Sequence, residues 1–166
     1  MMVVVGIDPG TATTGYGFVR ETDQGDLVAI DYGVILTPAG WPAEQRLLLL
    51  YQELKRLLLL HHPTSGAVEK LFFSRNITTA IAVGQGRGVV LLALAESNLS
   101  VAEYTPMEVK QAITGYGGAE KKQIQMMAKA MLNLAEIPKP DDAADALAIA
   151  ICHIHTNRYR ELVQQS

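Results

Sequence analysis

The sequence predicts an α/β domain in which a five-stranded mixed sheet is flanked by helices. Three observations carry that prediction. Short apolar runs rich in β-branched residues recur five times, at residues 3–8, 16–19, 27–36, 65–71 and 100–104. The first three are joined by short, turn-rich connections, which implies antiparallel pairing. The last two each follow a helical stretch, which sets them parallel to the first strand. The expected order is βββαβαβααα, with three antiparallel strands and two parallel ones.

Each element has a local cause. Pro9-Gly10 turns the chain after the first strand, and Asp23, Gln24, Gly25 and Asp26 turn it after the second. A first helix starts at Pro42, a residue suited to a first turn, and Pro63 stops it past His61. Residues 76–97 form a long helix, and helical patterns follow at 107–114, 119–134 and 142–156. Gly115-Tyr116-Gly117-Gly118 separates the first two of these and is expected to be flexible. A single domain over residues 1–156 results, and the polar residues 157–166 read as a flexible tail.

Composition narrows the class. The chain has 166 residues, of which 49% are hydrophobic and 19% charged, as in a globular core. Its one cysteine, Cys152, excludes a disulfide framework and a cysteine-rich zinc module. The leucine-rich stretch 47–60 is interrupted by Gln52, Glu53, Lys55 and Arg56, so it cannot span a bilayer. No secretion signal opens the chain, and a soluble cytoplasmic protein with no membrane partner is the expectation. The net charge of −3 does not exclude nucleic acid: if four carboxylates belong to one metal site, the remainder carries +1.

Four carboxylates stand out by position. Asp8 ends the first strand, kept extended by Pro9. Glu69 lies near the end of the fourth strand. Asp142 and Asp145 open the last helix three residues apart, hence on one face. If the first and fourth strands are adjacent and parallel, Asp8 and Glu69 share the sheet edge where α/β folds place ligands. Carboxylate oxygens are the preferred donors of Mg²⁺. Two such ions can clamp a phosphodiester, activate water and stabilise the leaving oxygen. Each residue also has a plainer reading. Asp8 suits a turn before Pro-Gly, and Asp141 and Asp142 suit a helix cap.

Six segments follow one another along the chain: Gly6-Ile7-Asp8-Pro9-Gly10-Thr11, Glu69-Lys70-Leu71-Phe72-Phe73-Ser74-Arg75-Asn76, Gly84-Gln85-Gly86-Arg87-Gly88, Val109-Lys110-Gln111, Ala119-Glu120-Lys121 and Asp142-Ala143-Ala144-Asp145-Ala146-Leu147-Ala148. This ordered set resembles the RuvC family of bacterial Holliday junction resolvases over residues 2–156. The resemblance implies an RNase H-like fold. It also implies a homodimer that nicks two opposing strands of a four-way DNA junction, leaving 5′-phosphate and 3′-hydroxyl ends for recombination and repair. Asp8, Glu69, Asp142 and Asp145 are then the catalytic, metal-binding acids. They would hold two Mg²⁺ ions, for which Mn²⁺ substitutes. Cooperation with the RuvA–RuvB branch-migration complex is implied in the same way.

Phe72 or Phe73 is expected to stack on a base at the junction, the family match favouring Phe72. Arg75, Lys110, Lys121 and Lys122 are candidate phosphate contacts. Residues 105–132 hold four lysines (110, 121, 122, 129) against two glutamates (108, 120). Gly84 and Gly88, four apart on the long helix, allow close backbone approach. The family's dimer contact runs through this helix, so they are assigned to the dimer interface. Leu48, Leu49, Leu59 and Leu60 exceed what one buried face needs. Thr11, Thr13 and Thr14 fall in the turn after Asp8, Met126, Met127 and Met131 are expected in the core, and Cys152 is expected buried. Three other functions compete with this reading: an ATP-using fragment of the sugar-kinase or chaperone-ATPase type, a nuclease acting on RNA precursors, and a non-catalytic junction- or RNA-binding module. An ATP-using architecture repeats the domain, for which 166 residues are too few, and a binding module usually loses one or more acids.

Overall fold

Alternation within the strands sends neighbouring residues to opposite faces, and this divides the core in two. In the computed structural model, which describes residues 1–10, 12–70 and 76–165, the strands are β1 (Met2–Asp8), β2 (Thr13–Glu21), β3 (Leu27–Leu36), β4 (Ser65–Glu69) and β5 (Ser100–Tyr104). The helices are α1 (Ala43–His61), α2 (Ile77–Glu96), α3 (Pro106–Thr114), α4 (Lys121–Met131) and α5 (Asp141–Gln164). The sheet order is β3-β2-β1-β4-β5. The pairs β1–β2 and β2–β3 are antiparallel, and β1–β4 and β4–β5 are parallel, as the sequence predicts.

Val4, Val19 and Ala67 point to the face covered by α3, α4 and α5. Val5, Ile7, Phe18 and Val68 point to the face covered by α1 and α2, where Leu50, Leu54, Leu57, Leu58, Val90 and Leu94 meet them. The helix ends follow from local chemistry. Thr105 and Glu108 close a reciprocal capping box on α3, with bonds of 3.1 and 2.7 Å, and Pro106 occupies its first turn. The Asn76 side chain accepts from the Thr79 N–H at α2.

Several expectations need correction. The helix expected to end at residue 156 runs on to Gln164. Arg158 pairs with Glu21 of β2 and donates to the Gly25 carbonyl, so a stretch that reads as a polar tail is tied to the sheet. Met126 and Met127 are 54% and 39% exposed rather than in the core; Met131 alone of the three packs against it. Thr13 and Thr14 belong to β2, where they pair with Leu36 and Ile35, and not to a turn. β4 ends at Glu69, and the expected continuation to residue 71 lies outside the described residues. At the 115–118 loop the Thr114 hydroxyl accepts from the Tyr116 N–H, and Gln111 donates to the Gly115 carbonyl. Cys152 is buried as expected, and Leu48, Leu59 and Leu60 are exposed.

Candidate metal centre and nucleic-acid cleft

The site is built by bringing one helix unusually close to the sheet. Gly6 of β1 lies under α5, where an added Cβ would stand 2.1 Å from the Ala146 carbonyl oxygen. At Gly15 of β2 the same atom would stand 2.0 Å from the Asp142 carbonyl oxygen. Only residues without a side chain permit this approach, which seats the start of α5 on the ends of β1 and β2. The small residues Ala143, Ala144, Ala146, Ala148 and Ala150 are buried along the helix and keep it there.

Asp8 pairs in register with Gly15, and the preceding Ile7 pairs with Val68, the residue before Glu69. The carboxylates of Asp8 and Glu69 thus meet at the carboxyl edge of the sheet, and they share a hydrogen bond. One carboxylate oxygen from each of Asp8, Asp142 and Asp145 lies within 4.8 Å of the others. The four acids singled out in the sequence converge. Burial, and then the hydrogen bond and charge of Glu69 with the charges of Asp145 and Asp142, push the Asp8 carboxyl up to about 9. Asp145 is also raised, first by burial, although Lys121 beside it works in the opposite direction.

The donor chemistry fits a hard divalent cation. Every ligand is a carboxylate oxygen, and no histidine or cysteine joins the group among the described residues. Burial, and then the neighbouring carboxylates, oppose ionisation of Asp8, so a bound divalent cation would relieve the cluster.

A cleft opens beside the cluster, lined by Glu69, Asp145, Lys110, Lys121, Val109 and Ile124. The Lys121 ammonium stands 3.4 Å from Asp145 and 3.4 Å from Asp141. Lys110 and Lys121 therefore fall where phosphate contacts are expected, whereas Lys122 is exposed outside this lining. Phe72, Phe73 and Arg75 lie outside the described residues. On α2, Gly84 and Gly88 line a surface groove with Lys70, Arg87, Leu91 and Glu103. A Cβ added at Gly88 meets nothing within 4 Å, so no contact inside the chain calls for that glycine.

Sequence reasoning missed two features. Asp141 is no simple cap: it accepts from Gln125 at 3.2 Å and pairs with Lys121, joining α4 to the start of α5. The glycines under α5 were also overlooked, although glycine inside strands at 6, 15 and 17 is a signal of close backbone approach.

An RNase H-like sheet with an acidic cluster at its carboxyl edge is the class that fold and site define together. The model of the family "Crossover junction endodeoxyribonuclease RuvC" matches residues 4–153, and the chain belongs to that family. It is 52% identical to the crossover junction endodeoxyribonuclease RuvC of Syntrophomonas wolfei, over 99% of this chain and 95% of that one. It is 57% identical to that of Desulfitobacterium hafniense, over 93% of each. Among solved structures, RuvC of Thermus thermophilus superposes with a TM-score of 0.89 at 38% identity, covering 95% of this chain and 96% of that one. The same protein in complex with a Holliday junction substrate superposes at 0.88 and 35% identity, with the same coverage. The yeast mitochondrial resolvase Ydc2 shares the fold at a TM-score of 0.70 and 16% identity, covering 99% of this chain and 86% of that one.

Proposed function

We propose that the protein is a structure-selective endonuclease that resolves four-way DNA junctions by paired nicks on opposing strands. The observation that carries this reading is the convergence of Asp8, Asp142 and Asp145, with Glu69 bonded to Asp8, beside a cleft lined by Lys110 and Lys121. Membership of the RuvC family supports the choice of DNA junction over RNA precursor.

Asp8, Glu69, Asp142 and Asp145 would hold two Mg²⁺ ions, with Mn²⁺ as a substitute. Bound there, such ions lower the pKa of a water nucleophile and stabilise the leaving oxygen, which gives 5′-phosphate and 3′-hydroxyl ends. Lys121 adds positive charge against the phosphate being cut, held in place by Asp145 and Asp141. Lys110 lines the same cleft and would contact a phosphate of the bound strand. Phe72, Phe73, Arg75 and Lys122 would be further DNA contacts, as the family resemblance implies.

Two nicks need two sites, and a homodimer supplies them. Helix α2 supports that assembly. It is apolar enough in composition to cross a membrane, yet only 22% of it is buried. Ile77, Ile81 and Leu92 are exposed, and Gly88 faces open space. A second copy of α2 packed there would cover this face, with Gly84 and Gly88 at the crossing. The enzyme would act in the cytoplasm on recombination intermediates, alongside the RuvA–RuvB complex.

The test is a synthetic four-way junction beside a linear duplex of the same sequence, with Mg²⁺ and then with EDTA. Metal-dependent paired nicks on the junction alone are expected. Asp8→Asn should cut by roughly a thousandfold less while still binding the junction, the scale of removing a charge-stabilising group. Undiminished cleavage by Asp8→Asn, or binding without cleavage in either metal, would overturn the reading.

A further inference from the structure

We propose that Tyr116 is a preformed stacking platform for an unpaired base of the junction, close to the phosphate that is cut; this rests on the endonuclease reading above. Tyr116 stands between α3 and α4 and is 66% exposed. An aromatic ring left in water this way has no part in the core. Its position is nonetheless fixed. The Thr114 hydroxyl donates to the Lys110 carbonyl at 2.7 Å and accepts from the Tyr116 N–H at 3.2 Å. The Tyr116 carbonyl accepts from the Ala119 N–H at 3.2 Å. The ring itself lies against Gly118: a Cβ there would stand 2.7 Å from both Cζ and Oη of Tyr116. Gly117 packs in the same way on Met107, whose Cγ would be 3.0 Å from an added Cβ. Gly118 therefore lets the ring rest against backbone while most of it stays in solvent.

The surroundings identify the occupant as nucleic acid. Lys110 and Lys121 flank the loop on both sides and line the acidic cleft, and Lys122 follows. Lys121 is five residues after Tyr116, which limits their separation to about 18 Å along the chain. At a rise of ~3.4 Å per nucleotide, that span is a few nucleotides. Since Lys121 stands 3.4 Å from Asp145, a strand laid across the acids brings a nearby base within reach of the ring. Stacking is indifferent to sequence, because every base has a π face, and it favours bases freed from pairing. Tyr116 is therefore a positioning residue. It holds the strand by a base so that the phosphate stays over the carboxylates.

The test places 2-aminopurine singly at each position within five nucleotides of the cut phosphate, with binding measured in EDTA. At one or more positions, wild-type protein should change the fluorescence where Tyr116→Ala does not. Tyr116→Ala and Tyr116→Leu should lose roughly ten- to a hundredfold in kcat/KM for junctions, and Tyr116→Phe should recover most of it. The thermal midpoint should not move in any of them, because the ring is exposed. If the wild type cleaves junctions and Tyr116→Ala matches it at every position and in rate, this inference falls alone. A Tyr116→Phe as poor as Tyr116→Ala overturns it too, since stacking needs no hydroxyl. If the wild type neither binds nor cuts junctions, this inference and the endonuclease reading fall together.

Discussion

The two faces of the sheet are packed by different rules. On one, α5 meets β1 and β2 backbone to backbone, over Gly6, Gly15 and Gly17 and through buried alanines. On the other, α1 and α2 meet the same strands through large side chains, among them Leu54, Leu94, Ile7 and Phe18. The first face carries Asp142 and Asp145; the second carries none of the clustered acids. Side chains can shift and repack by fractions of an ångström, whereas a helix resting on glycine has nowhere to go. Where carboxylate oxygens must stand within a few ångströms of one another, the backbone itself does the placing. Where only burial is needed, leucines suffice.

The sharpest way to break this contrast is to add one methyl group. Gly6→Ala should cost about 3 kcal/mol or more in stability, because the new Cβ would stand 2.1 Å from the Ala146 carbonyl oxygen, a backbone atom. Chemical denaturation would measure this, and a cation-induced rise in thermal midpoint should vanish with it. Leu54→Ala, on the opposite face, should cost ~2–4 kcal/mol by leaving a cavity, yet keep the cation-induced rise. A Leu54→Ala protein that lost its response to cation would show that the side-chain face also sets the site.

His153 sharpens the comparison within the α5 face. It is buried, and it bonds Tyr104 of β5 at 2.7 Å and Ser65 of β4 at 3.1 Å. Asn157 donates to its Nε2 at 3.2 Å, so Nδ1 carries the proton and donates to the Tyr104 hydroxyl. Burial, helped by the nearby Arg160, lowers its pKa from the usual 6.5. Such a group keeps its full stabilising share above pH 6.5 and loses it as pH falls through the folded value. His153→Gln should cost ~1–3 kcal/mol at pH 7.5. The gap between variant and wild type should narrow toward pH 5, as thermal midpoints across that range would show.

The smallest effect has the opposite sign. Asp8, pushed up to about 9 from 3.8, stabilises the cation-free protein fully below pH 3.8 and progressively less as pH rises through about 9. At pH 7.5 without divalent ion, Asp8→Asn should therefore melt ~2–8 °C above wild type, as ~1–2 kcal/mol does in a domain of this size. Saturating Mg²⁺ should raise the wild type and close the difference. A variant that melts below wild type in EDTA would show that the carboxyl is stabilising in place.

Much of this was legible in the sequence because it is local. Five β-rich runs, their turns and the Pro signals around α1 depend on near neighbours, and the strand directions follow from connection lengths. The four acids could be listed because each stands at an element's end. What only the tertiary structure decided involves residues far apart in the chain. Arg158 extends α5 because Glu21 waits 137 positions earlier. Met126 and Met127 are exposed because α4 turns inward the face that carries Ala128 and Ile124. Asp141 joins α4 to α5 only once Lys121 and Gln125 are beside it. Asp8 is driven up in pKa by burial and then by Glu69, Asp145 and Asp142, all of which act on it through folding alone. Pattern in the chain sets which residues can do the chemistry, and the approach of α5 over glycine sets the distances at which they meet.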